Sequence, residues 1–204
     1  MNVYSVLIKT AIAIVTAIGC CSANGQEGQY DWGALHRGEV LIDSVKSAQG
    51  VPGVRAVFVI EAPREKIWAT LLDYDNFPKF FDGIDEMKVL HSDEKGARVE
   101  FWVDAVLKKL HYVLSRDYVT LGYELTWKRI SGDLKDIQGS WKIEDTEDPE
   151  RKLLIYDSYV DLGVPIVTWA IRIGAKKKAK EMAYRLRDWI ESVAQPNSPN
   201  DSRP

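Results

Sequence analysis

In places between residues 38 and 161 apolar residues recur at every second position, and after Pro165 they recur at three- and four-residue spacing. This change of period predicts a strand-rich body closed by one long helix. Residues 38–46 (GEVLIDSVK) and 54–60 (VRAVFVI) read as strands on either side of the turn Gly50-Val51-Pro52-Gly53. Pro63 suits the opening of a helix, where a missing N–H costs nothing, and Ile67, Trp68, Leu71 and Leu72 then share a face. Residues 73–81 (DYDNFPKFF) form only a short helical or turn segment, because Pro78 forbids a long helix. Further strands are expected around 87–91, 97–106, 110–120, 123–130, 134–145 and 153–161. The turns between them are so short that neighbours must be antiparallel.

The closing helix, 165–194, carries Ile166, Ala170, Ile173, Ala179, Met182, Ala183, Leu186, Ile190 and Val193 as its apolar stripe. The element order gives an α+β layer architecture, in which the antiparallel sheet curves around the final helix to bury that stripe. The gap left between such a sheet and its helix is the natural ligand site.

The two ends read differently. Residues 1–23 combine Lys9, the short apolar run TAIAIVTAIG and the small residues Cys21-Ser22-Ala23, the pattern of a signal peptide cleaved after Ala23. The expected location is the periplasm, with lipoprotein processing at Cys20 as the alternative. Residues 24–37 then form a linker, 38–194 the ligand-binding domain, and 195–204 (QPNSPNDSRP) a disordered tail.

The 27 basic and 30 acidic residues give a net charge of −3, which excludes a strongly basic nucleic-acid-binding protein. Cys20 and Cys21 are adjacent and lack the spacing of a disulfide framework or a metal site. His36, His91 and His111 stand in no nucleophile motif and at no metal-ligand spacing. The chain has no G-x-S-x-G, G-x-G-x-x-G or P-loop motif, so neither a catalytic serine elbow nor a nucleotide or other cofactor is expected.

Three local patterns add a resemblance. Ala62-Pro63, Ile67-Trp68, Leu72-Asp73-Tyr74 and Phe77-Pro78 form one, and Gly132-Asp133-Leu134-Lys135 with Gly139-Ser140-Trp141 a second. Arg116-Asp117-Tyr118-Val119 is the third. In this order, across residues 38–192, the chain resembles the START-like superfamily (SRPBCC), which includes polyketide cyclases/dehydrases and coenzyme-Q-binding proteins; it looks like an exported bacterial member. The resemblance implies the helix-grip fold and a cavity for a hydrophobic ligand such as a lipid, sterol, quinone or polyketide.

The candidate ligand contacts follow from the inner face. Tyr112 and Leu114 share a strand face with Arg116. An arginine there needs either a carboxylate such as Asp157 or an anionic or carbonyl-bearing ligand. Trp127, Tyr156 and Trp169 can line the cavity, while Trp141 reads as core. Ile166 and Ile173 join them from the helix, whose start at Gly163 and Pro165 suits a hinge. On the helix's other face Arg172, Lys176, Lys177 and Lys180 suit transient contact with an anionic membrane surface.

The function expected is binding and carriage of a hydrophobic small molecule in the cell envelope. The alternatives are an aromatase/cyclase-type enzyme acting on a polyketide-like substrate, with Arg116 and a tyrosine as its polar groups, and an interaction module without a ligand.

Overall fold

The computed structural model describes residues 30–105, 108–163 and 168–194. The expected signal peptide with Cys20 and Cys21, the tail 195–204, and Pro165 and Ile166 lie outside them. Within the expected linker stands a short helix, α1 (Trp32–His36), capped by the Asp31 carboxylate, which accepts from Ala34 N at 2.9 Å. Leu35 is buried there and α1 packs against the second strand. Five residues are too few to show a helical period, so the sequence pattern hides this element.

The hairpin β1 (Leu41–Lys46) and β2 (Pro52–Ile60) leads into α2 (Arg64–Leu72) and a 3-10 helix, Tyr74–Lys79. The strands β3 (Ile84–Asp93), β4 (Gly96–Ala105), β5 (Lys108–Thr120), β6 (Glu124–Gly132), β7 (Asp136–Asp145) and β8 (Lys152–Asp161) follow, then the long helix α3 (Thr168–Ala194). All eight strands form one antiparallel sheet in the order β1-β2-β8-β7-β6-β5-β4-β3. This is the α+β sheet with a long C-terminal helix on it that the periodicity predicted. The third strand is longer than expected. Register shifts between Ile84 and Glu86 and between Val89 and His91 interrupt its alternation, which leaves only part of it visible as a period-two pattern.

The core lies between the sheet's inner face and the helices. Ala56, Phe58 and Ile60 of β2, Leu154 of β8 and Trp141 of β7 meet Ile67 and Leu71 of α2 and Met182, Ala183, Leu186 and Ile190 of α3. α3 packs on β1, β2 and α2. Ile173 is 62% exposed and does not belong to this stripe. It precedes Ala179 by six residues, which turns it about 120° around the helix from the buried face. Among the described residues, no helix is long and apolar enough to cross a membrane.

Candidate functional site

A row of paired residues crosses the concave face of the sheet: Ser44 on β1, Val54 on β2, Ser158 on β8, Gly139 on β7, Trp127 on β6, Arg116 on β5 and Ala97 on β4. Directly paired strand residues point to the same side, so this row is the floor of a groove. Two lobes open above it. The outer lobe, about 430 Å³, lies between β1, β2 and β8 and the α3 residues Ala175, Lys176, Ala179 and Met182. The inner lobe, about 180 Å³, runs among Phe77, Phe101, Tyr112, Leu114, Arg116, Trp127, Ile137 and Trp141. Phe81, Asp82, Tyr156 and Ser158 line both lobes.

Aromatic packing forms the wall between them. Tyr156 stacks on Trp127 at 5.7 Å between ring centroids and lies 4.6 Å from Trp141. Trp127 sits across from Gly139 in the ladder, and its indole occupies the space where a side chain on residue 139 would stand. The Gly139-x-Trp141 pattern thus has a packing explanation: the glycine admits one indole while Trp141 contributes the other.

Arg116 is 3% exposed. Its Nη2 donates to the Leu71 carbonyl near the C-terminal end of α2 at 3.2 Å. Its guanidinium carbon stands 4.9 Å from the ring centre of Tyr74 and 5.0 Å from that of Phe77. Nη1 is buried with no hydrogen-bond partner. The carboxylate considered for it, Asp157, is engaged on the opposite face, where Arg55 donates to it through Nε and Nη2 at 2.7 Å each. Arg55 and Asp157 are direct cross-strand partners, a pairing set by the β2–β8 register. Burial lowers the Arg116 guanidinium from its ordinary value, although a guanidinium remains protonated in a protein. Burial likewise pushes the Tyr112 and Tyr156 phenols up, and the Tyr74 phenol up against the pull of the Arg116 charge.

Tyr112, Leu114, Arg116, Trp127 and Tyr156, all expected as ligand contacts, therefore line one lobe together. Ile173 lines neither lobe, because Ala175, Lys176 and Ala179 present that end of α3 to the groove. Ile166 and the side chains of Trp169 and Arg172 lie outside the described residues. Of the basic residues assigned to membrane contact, Lys176 lines the outer lobe, Lys177 pairs with Glu181 at 3.8 Å, and Lys180 is exposed beside Tyr184. The hinge expected at the start of α3 begins at Gly163, whose φ of 72° suits glycine. Its N–H donates to the Asp161 carboxylate at 2.9 Å.

Asp82 was not singled out by any sequence pattern. Between the 3-10 helix and β3, it accepts from Lys178 Nζ at 3.1 Å and pairs with Arg185, tying the groove's front wall to α3. Hydrogen bonds from Arg185 and Lys178 hold its carboxyl below the usual carboxylate range. A depressed carboxylate contributes stability above its unfolded pKa and loses that contribution as pH falls through its folded one. The latch is therefore expected to hold at neutral pH and release in acid. Stopped-flow release of an apolar dye from the groove should accelerate as pH drops below the ordinary carboxylate range. Asp82→Asn should release quickly at every pH. An unchanged pH profile in that variant would remove Asp82 from the latch.

Among the described residues, no histidine lines either lobe and no group of acidic, histidine and cysteine side chains is arranged to hold a metal.

Known structures share this fold at low sequence identity. A START superfamily protein from Mycobacterium smegmatis aligns with a TM-score of 0.60 at 16% identity, covering 69% of this chain and 98% of that one. The Zhui aromatase/cyclase from Streptomyces gives 0.59 at 14% identity, over 76% and 97%. A STAR-related lipid transfer protein from Xanthomonas axonopodis gives 0.58 at 13% identity, over 73% and 98%. These likenesses establish the START-like helix-grip fold and nothing finer. No curated protein matches the sequence. The sequence of residues 60–187, more than half of the chain, matches a family model, and on that match the protein belongs to the polyketide cyclase / dehydrase and lipid transport family.

Proposed function

We propose that the protein binds and carries a hydrophobic small molecule, of the lipid, sterol or quinone class, in the groove between sheet and α3. It does so in the cell envelope after export. The observation that carries this reading is the outer lobe, a cavity of about 430 Å³ walled by Val54, Phe80, Phe81, Val160, Leu162 and Met182. Apolar surface shielded from water is what a water-insoluble cargo needs. Membership in a family described by lipid transport supports the same reading. The aromatase/cyclase alternative is less well served by this groove. A general acid or base works best with a pKa near the working pH, whereas burial drives the Tyr112 and Tyr156 phenols away from neutrality.

The test is titration of the full chain, stripped of endogenous lipid, with a neutral solvatochromic dye. Val160→Trp, which fills the outer lobe from β8, should weaken dye binding about tenfold or more, because overpacking a filled site costs ~1–3 kcal/mol. No dye binding by the unaltered chain would reject carriage. Docking on an anionic membrane enters the same series through Lys177 and Lys180, both exposed and neither lining a lobe. Their replacement by glutamate should slow dye transfer between anionic vesicles and leave affinity in solution unchanged. Unslowed transfer would reject docking.

Export has its own measurement. N-terminal sequencing of the protein from a fractionated cell is expected to find the envelope form beginning at Asn24. A form starting at Met1 in the cytoplasmic fraction would reject export, and a lipid-modified start at Cys20 would replace secretion by anchoring.

A further inference from the structure

Single exposed apolar side chains are ordinary on a protein surface, but Val119, Leu121 and Tyr123 fall within five residues at the β5–β6 turn. They are 57%, 70% and 42% exposed. The tip that carries them is held in one shape. Gly122 takes the left-handed turn at φ 81°, and the Tyr123 N–H donates to the Thr120 carbonyl at 2.9 Å. The Ile143 N–H reaches the Tyr123 carbonyl at 2.7 Å, and Arg64 Nη1 of α2 donates to the Tyr123 hydroxyl at 2.7 Å. The Arg64 guanidinium also lies 3.9 Å from the centre of that ring. A knob fixed in this way loses little freedom when it is covered.

The two ends of the sheet differ in charge. Residues 144–150, around the β7–β8 turn, include five acids and no base, whereas residues 176–180 of α3 include four lysines and no acid. The acidic turn shares its end of the sheet with the tip, since Arg64 pairs with Asp145 while it holds Tyr123. The lysines stand at the opposite end of β8, where Val160, Leu162 and Lys176 line the outer lobe. The ten residues of β8 put about 30 Å between the two ends. Among the described residues, Glu65, Glu94, Glu147 and Glu150 at the first end have no ion-pair partner, and neither do Lys176 and Lys180 at the second.

We propose that the tip is a docking knob for a second copy of this chain, with Leu121 and Val119 entering the neighbour's outer lobe and the acids facing its Lys176 and Lys180. The knob is apolar and flanked by negative charge, and the lobe is apolar and rimmed by positive charge. An anionic bilayer complements the lysines but is repelled by the acids beside the tip, so it does not suit the knob. One copy's knob in the next copy's mouth is a head-to-tail contact, which leaves a free knob and a free mouth and grows by addition. Its area is that of one hairpin tip, so association is weak and concentration-dependent. Cargo and a neighbour's knob then compete for one lobe. That competition rests on the carriage reading, while the contact itself does not.

Sedimentation velocity of the delipidated full chain reads the association, under reducing conditions so that Cys20 and Cys21 cannot link copies. The mean mass is expected to rise with concentration past that of a dimer and to fall back in high salt. Leu121→Asp should weaken association about tenfold or more, the scale of removing one buried leucine, and leave dye affinity in dilute solution unchanged. Val160→Trp, which fills the lobe, should weaken association as strongly. The two variants are then mixed. An intact mouth from Leu121→Asp and an intact knob from Val160→Trp should form pairs that stop at two copies. Saturation with the dye should return the unaltered chain to monomers.

An unaltered chain that stays monomeric at every concentration would overturn the proposal and leave the knob to another partner. Association that survives Val160→Trp would mean that the knob meets something other than the lobe, and a mixture that fails to pair would overturn the contact equally. Loss of vesicle binding in Leu121→Asp with no change in mass would assign the tip to the membrane instead. If the dye does not bind, carriage is rejected, and the mixture still decides the contact. Should Val160→Trp fail to fold by circular dichroism, the double variant Lys176→Glu, Lys180→Glu takes its place: it should not associate with itself, and it should still pair through its knob with Leu121→Asp.

Discussion

Replacing Trp141 by alanine is expected to cost about 3–5 kcal/mol of stability, the range for truncating a fully buried large aromatic side chain. Trp141 is 1% exposed, packs edge-on against Phe58 at 6.3 Å and lies 4.6 Å from Tyr156. Its cost should fall at the high end, because the indole borders the inner lobe and its removal enlarges a cavity that cannot readily collapse. Urea unfolding at fixed ionic strength measures it. A loss below about 1 kcal/mol would mean that the wall repacks easily and that Trp141 is not structural.

Gly139→Ala is expected to be nearly as damaging, although it adds a single methyl group. A Cβ there would overlap the Asp157 carbonyl oxygen and the indole of Trp127 at once. The carbonyl belongs to the β7–β8 ladder and cannot withdraw without separating the strands. The indole can withdraw only into the inner lobe. Overpacking of this kind costs roughly 1–3 kcal/mol, and more where backbone must move. The expected result is a loss of about 3 kcal/mol with a change in tryptophan fluorescence. Gly174→Ala is the control: nothing stands near its Cβ on α3, so the same change should stabilise by about 0.5–1 kcal/mol. Equal effects at the two glycines would show that crowding at Gly139 is not the cause.

Much of the architecture was legible because it is written in local alternation. Val99 and Phe101, two positions apart on β4, are both buried, and the short turns do join antiparallel neighbours. The short α1 and the bulged ends of β3 were obscured for the same reason, since each breaks or is too brief for a period. Ile173 and Val193 were misplaced at the two ends of a stripe whose middle, Ala179, Met182, Ala183, Leu186 and Ile190, is buried, whereas Val193 is 48% exposed. At the site, strand parity was enough to put Arg116, Tyr112 and Leu114 together. What surrounds Arg116 was not legible. The choice of Arg55 as the partner of Asp157 depends on strands 102 residues apart, and the Asp82 latch joins residues separated by 96 and 103 positions. Pairings at such distances are consequences of sheet order, which no local pattern encodes.

That sheet order also sets when the protein can become whole. From β3 to β8 every strand lies beside its predecessor in the chain, so this part of the sheet grows by adding hairpins. The hairpin β1–β2 is different: its attachment to the rest runs through β8, the last strand. Emerging first from the ribosome, it has no place in the sheet until residues 152–161 have been made, and α3, which covers it, comes later still. Loop closure across this interval must be met before its contacts form, the condition that slows folding in chains of high contact order. The groove floor, which includes Ser44 and Val54 of that hairpin, is therefore among the last features a nascent chain can complete.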